Sequence, residues 1–176
     1  GVLDNLEWNA GVYYLNGNLR SRKDERYTAD GYRLAPTDFD TINHRLQVAT
    51  LISGPIIRDK LWFLVSYQHT RTLQQNTGIH LPWDFDGHYV LAKLSYQPVA
   101  SHRFNLLYQM NPSTIDNTLQ SSYATKPEAQ GRQAQGGFLT QLQWLWILSP
   151  EVNLDTRFSI QKIYLETSSV PCTHER

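Results

Sequence analysis

Apolar and polar side chains alternate along this chain with a period of two, and the alternation returns in segment after segment. A side chain that changes face at every residue marks extended backbone, because a helix returns to the same face only every three to four residues. In 41–53, Ile42, His44, Leu46, Val48, Thr50 and Ile52 share one face, while Asn43, Arg45, Gln47 and Ser53 take the other. Leu61, Phe63, Val65 and Tyr67 repeat the theme, as do Val90, Ala92, Leu94 and Tyr96. Phe104, Leu106, Tyr108 and Met110 follow, then Phe138, Leu142, Trp144, Trp146 and Leu148, then Leu154, Phe158, Ile160 and Tyr164. With a weaker stretch bearing Trp8, Ala10, Val12 and Tyr14, this predicts seven strands, near 7–16, 41–53, 61–72, 88–97, 103–111, 136–148 and 153–165.

Those strands are long. Strands of soluble domains usually have about 5–6 residues, whereas one tilted across a bilayer needs about 9–11. The connections alternate as well. Short ones at 54–60, 98–102 and 149–152 carry Pro55, Pro98 and Pro150 near their starts, which suits tight turns. Long ones cover 17–40, 73–87 and 111–135. In an up-and-down sheet this places every short turn at one end and every long loop at the other. The expected fold is therefore all-β: an antiparallel, up-and-down transmembrane β-barrel segment of about seven strands, an incomplete barrel occupying 1–176.

Composition narrows the function classes. Lys plus Arg equals Asp plus Glu at 16 each, so no bulk basic field points to nucleic acid. The longest apolar runs, 61–65 and 144–148, are far short of the roughly 20 residues of a helical span. Cys172 is the sole cysteine, which excludes an internal disulfide framework and a cysteine-rich zinc site. The chain starts at Gly1 in a polar segment without a signal peptide, as expected of a mature chain or a fragment. With the short turns in the periplasm, Trp8, Phe63, Tyr96, Phe104 and Trp146 all lie near the short-turn end, the placement of an interfacial aromatic girdle. The opposite face is rich in Gln, Asn, Arg and Lys, too polar for a dry core and suited to a wet lumen.

The string from Gly54-Pro55-Ile56-Ile57-Arg58-Asp59-Lys60 through Leu61-Trp62-Phe63-Leu64-Val65-Ser66-Tyr67 resembles a signature turn and strand of TonB-dependent outer-membrane receptors. It is most similar to the Oar-like branch, which carries an N-terminal carboxypeptidase-regulatory-like domain. Two further stretches fit less specifically: a hairpin with Lys93-Leu94-Ser95-Tyr96-Gln97 leading to His102-Arg103-Phe104, and a later Trp-containing strand ending at Leu148-Ser149-Pro150. The resemblance covers roughly residues 7–165. It implies a location in the bacterial outer membrane and energised uptake of a scarce solute, bound at external loops and admitted when TonB shifts a plug. Binding and gated passage make no bond, so no enzyme, catalytic residue or cofactor is expected. The implied partners are outer-membrane lipid and lipopolysaccharide, the remaining barrel strands, and TonB through a plug domain that this chain lacks.

The departures matter. Such receptors have 22 strands, single-chain bacterial barrels use even numbers, and the polar tail 167–176 lacks an apolar final strand with a terminal aromatic. The expectation is a piece of a larger barrel, its early strands just after the plug.

Ligand residues vary within the family, so site candidates come from the residues themselves. The densest polar cluster is 80–88, at the end of the second long loop, where His80, Trp83, Asp84, Asp86 and His88 are candidate ligand-binding residues. Asp84, Asp86 and Gly87 resemble half of a calcium loop, and the two histidines suit a transition metal. The distal glutamate and further oxygen ligands are missing, and Asp-Gly before a strand is a common turn, so no metal is expected. The basic run 20–26 suits lipopolysaccharide phosphates or a solvated loop, and Arg45, Lys93 and Arg157 are expected to line the lumen. Two other readings stand beside the transporter: a non-transporting outer-membrane barrel (adhesin or structural) and a soluble ligand-binding β-barrel.

Overall fold

The computed structural model describes residues 5–17, 41–75, 81–118 and 130–169. Among them lie eight strands: β1 Glu7–Asn16, β2 Thr41–Ile57, β3 Leu61–Gln75, β4 Trp83–Val99, β5 His102–Met110, β6 Ser113–Asp116, β7 Gly131–Ser149 and β8 Val152–Ser169. All pair antiparallel in a single sheet. The fold is all-β.

The eight strands occupy seven lanes. β5 and β6 lie end to end between β4 and β7, with β5 against the lower half of each and β6 against the upper. What divides them is Asn111-Pro112, because proline has no N–H to give to a ladder. The backbone is stitched around the break: Asn111 N–H donates to Gly137 O at 3.1 Å, and His88 N–H donates to Pro112 O at 2.9 Å. Gly136 faces the break with φ at 148°, and a Cβ there would lie 2.6 Å from Asn111 O. The expected seven strands thus become eight segments, with β6 inside what sequence alone gave to the 111–135 loop.

Five strands run well past their expected limits. β2 (17 residues) and β4 (17 residues) pass through Pro55 and Pro98, which sit at register shifts between Pro55 and Ile57 and between Tyr96 and Val99. A bulge accommodates a residue that cannot donate, so these prolines lie inside strands and do not lead turns. The turns themselves shrink to 58–60, 100–101 and 150–151, and only Pro150 lies in one. At the first, Lys60 N–H donates to Ile57 O at 3.1 Å while Asp59 takes φ of 60°, a conformation that Asp tolerates. At the other end the second long connection contracts to 76–82, since β3 continues to Gln75 and β4 begins at Trp83. All three short turns still lie at one end of the sheet and the three longer connections at the other.

Residues directly paired across strands share a face, so the registers define two faces. Trp8, Ile52, Val65, Ala92, Tyr108 and Thr140 follow one another across five ladders on the first. This face is apolar from the short turns upward and becomes charged toward the long connections. The other carries Gln47, Gln68, Lys93, Asn105, Gln141 and Gln143. No described apolar side chain is buried, and Trp8, Val12, Ile52, Leu142, Phe158 and Ile160 are all exposed. The described residues contain no helix long and apolar enough to cross a membrane. β1 and β8 end the sheet, each paired on one side only among the described residues.

Candidate functional site

Where the apolar face ends, β3 and β4 place two imidazoles and a carboxylate together. His69 lies directly opposite His88 in the β3–β4 ladder, and Asp86 lies two residues before His88 on the same face. The two rings stack at 4.6 Å between centroids, with 10° between planes. Both aim their Nε2 edges at one carboxylate: His69 Nε2 and His88 Nε2 each lie 3.2 Å from Asp86 Oδ1. On the far side of His88, Nδ1 is 2.8 Å from the Tyr67 hydroxyl. One ligand atom from each of His69, Asp86 and His88 falls within 4.8 Å of the others, and all three residues are half-buried.

The site is bordered by ion pairs that use up the neighbouring charges. Arg71 grips Asp84 with two nitrogens, Nη2–Oδ2 at 2.9 Å and Nε–Oδ1 at 3.4 Å. Across β6 and β7, Arg132 Nε lies 3.3 Å from Asp116 Oδ1. With Asp84 held by a guanidinium, Asp86 is the carboxylate turned to the histidines.

β4 supplies most of this because its polarity inverts along its length. In 88–97 Val90, Ala92, Leu94 and Tyr96 stand on the first face, with Tyr89 and Leu91 on the second; in 83–87 the aromatics stand on the second and the aspartates on the first. Trp83 and Phe85 stack at 5.7 Å on that second face. Gly87 leaves room for this: a Cβ would meet the Phe85 ring at 2.6 Å. The Asp86-Gly87 pair is therefore mid-strand, and the turn expected there from sequence is replaced by continuous ladder.

Of the five candidates, Asp86 and His88 meet in the cluster, Asp84 lies beside it in an ion pair, and Trp83 points to the opposite face. His80 lies outside the described residues, as do Cys172 and the 20–26 run. His69 and Tyr67 were not singled out from sequence. Their signal was parity, since His69 continues the face of Leu61, Phe63, Val65 and Tyr67.

Two further arrays mark the two faces. On the polar face a hydrogen-bonded row crosses four strands: Ser95 Oγ donates to Asn105 Oδ1 at 2.8 Å, Asn105 Nδ2 to Gln143 Oε1 at 3.1 Å, and Gln143 Nε2 to the Asp155 carboxylate at 3.0 Å. Arg157 completes it, with Nη2 at 2.7 Å from Asp155. Arg45 is tied elsewhere, donating to Thr72 Oγ1 at 3.1 Å. On the apolar face near the short turns, Tyr96, Phe104, Trp144 and Trp146 form a stacked aromatic series, and Trp144 Nε1 donates to His102 Nδ1 at 3.2 Å. Comparison of the chain with protein-family models, with curated proteins and with solved structures returns no match.

Proposed function

We propose that this chain forms part of the wall of a bacterial outer-membrane β-barrel, the strands of a TonB-dependent receptor that takes up a scarce solute. One observation carries the reading: a long-stranded sheet with an unburied apolar band on one face and a hydrogen-bonded polar row on the other. A soluble domain rarely leaves an apolar patch of more than a few hundred Å² uncovered, and lipid is one medium in which such a band is at rest. The dimensions suit a bilayer. From Leu46 to Ile57 on β2 the band runs about 35 Å at ~3.4 Å per residue, or roughly 25–30 Å once the strand tilts by about 40°. The charged collar then stands beyond the hydrocarbon, and the polar row faces water in the lumen. Uptake in place of adhesion rests on the resemblance of residues 54–67 to the receptor family.

Quenching by brominated acyl chains tests the wall. Variants keeping a single tryptophan, either Trp144 on the apolar face or Trp62 on the polar face, are reconstituted in brominated vesicles. The reading expects Trp144 to be quenched and Trp62 to be spared; equal quenching, or none, overturns it. Transport is tested in cells by comparing a deletion of the intact gene with a TonB-deficient strain in media each limited in one trace nutrient. A shared growth defect supports uptake. Parental growth throughout sinks it and favours the adhesin.

A further inference from the structure

We infer that His69, Asp86 and His88 form a binding site for a divalent transition ion of the zinc class, clamped between β3 and β4. The inference goes beyond the barrel reading and does not rest on it, since it uses only the geometry of one hairpin. It also departs from the sequence reading, which paired His88 with His80 and expected no metal.

The ligand set selects the ion. Two imidazole nitrogens and one carboxylate oxygen suit zinc, copper(II) or nickel, whereas calcium and magnesium take oxygen ligands almost alone. The spacing agrees. Bonds of about 2.0–2.2 Å at tetrahedral angles put neighbouring ligand atoms roughly 3.3–3.5 Å apart. Two of the three separations, each imidazole Nε2 to Asp86 Oδ1, are 3.2 Å. All three atoms already lie within 4.8 Å, so closure asks for small side-chain rotations and no change of register. Three protein ligands leave a fourth position open to water or to an external ligand.

The surroundings prepare the ligands. A metal-bound histidine usually donates its other ring N–H to a fixed partner, which sets the tautomer. Tyr67 Oη stands 2.8 Å from His88 Nδ1 in that role. Without an ion, each Nε2–H donates to Asp86; when an ion binds, it takes the place of those protons, and His88 carries its proton on Nδ1 toward Tyr67. Arg71 does not compete for Asp86 because Asp84 engages it through two nitrogens. The backbone is fixed close by, with His88 N–H bonded to Pro112 O at the Asn111-Pro112 break.

The test uses the intact protein in detergent, stripped with EDTA and titrated with zinc chloride by calorimetry, with cobalt(II) as an optical probe. The expected result is one zinc per chain, visible d–d absorption from cobalt in a low-symmetry site, and no competition from a large excess of calcium. His69→Ala, His88→Ala and Asp86→Asn each weaken zinc binding by tenfold or more and abolish the cobalt band. Tyr67→Phe, which keeps all three ligands, weakens it by about tenfold or more. His102→Ala, at the far end of the sheet, leaves binding unchanged. An unfolding midpoint within error of the parent separates loss of a ligand from loss of fold. The inference is overturned if zinc does not bind, or if a one-to-one component persists in the His69→Ala/His88→Ala double variant.

Discussion

At Gly136 the backbone holds a φ of 148° against the Asn111-Pro112 break, with Asn111 O and Pro112 Cα where a Cβ would go. Gly136→Ala therefore combines a conformation that L side chains avoid with a backbone collision, and it should destabilise by at least about 1–3 kcal/mol. Gly11, on β1, has nothing within 4 Å of a Cβ and no unusual φ. There the same substitution removes only the entropy cost of glycine in a strand, so Gly11→Ala should be neutral or stabilising by up to about 1 kcal/mol. Urea unfolding in detergent checks both; a Gly136→Ala variant as stable as its parent would show that the backbone at the break relaxes. Sequence did not distinguish these glycines, because the feature that strains Gly136 is a proline 24 positions earlier, brought alongside by pairing. His69 was hidden for a related reason. It stands 17 residues before Asp86, and the β3–β4 register that joins them depends on where both strands stop. Asp86 and His88 were visible because they are neighbours in the chain.

β4 shows which part of an element can be read from sequence and which cannot. Its lower half alternates in phase with the other strands and was found. Its upper half, Trp83-Asp84-Phe85-Asp86-Gly87, alternates in the opposite phase and ends in Asp-Gly, and so looked like a loop closing in a turn. The inversion has a physical source: beyond the apolar band, the face that carried leucine and valine carries charge, and aromatics move to the other side. The prolines misled in the other direction, since Pro55 and Pro98 are tolerated in ladders wherever a bulge removes the need for a donor. Pairing between elements is energetically specific in the aromatic series. Phe104 and Trp144 are direct cross-strand partners, with centroids 6.1 Å apart and planes 4° from parallel. A double-mutant cycle with Phe104→Leu and Trp144→Leu should yield a coupling of about 0.5–1.5 kcal/mol. A coupling indistinguishable from zero would mean that the rings are neighbours by register alone and that each is held separately by its medium.

The whole sheet poses one question that neither residue nor element answers: what covers an apolar face that the described residues leave bare. Leu142 is at its middle, about half exposed, between Leu106 on β5 and Phe158 on β8. Gln141, the next residue, stands on the polar face opposite Leu107 and Ser159. An arginine at a lipid-facing midplane position of a barrel costs about 2–4 kcal/mol, whereas one facing the lumen meets water. Leu142→Arg should therefore lower unfolding stability in lipid vesicles by that amount, while Gln141→Arg should change it by less than about 0.5 kcal/mol. A second protein layer would also penalise Leu142→Arg, so the parent's behaviour separates the two cases. A face sealed by protein leaves the parent monodisperse in plain buffer, and a face sealed by lipid makes it depend on detergent or bilayer. The edges that the described residues leave unpaired sharpen the contrast. β1 and β8 offer 10 and 18 residues of ladder groups on their outer sides, tolerable in water but not in hydrocarbon. A wall in lipid thus needs further strands on both edges, whereas a soluble sheet needs only a cover on one face. Penalties equal at positions 141 and 142 would remove the distinction between the faces, and with it the lipid reading.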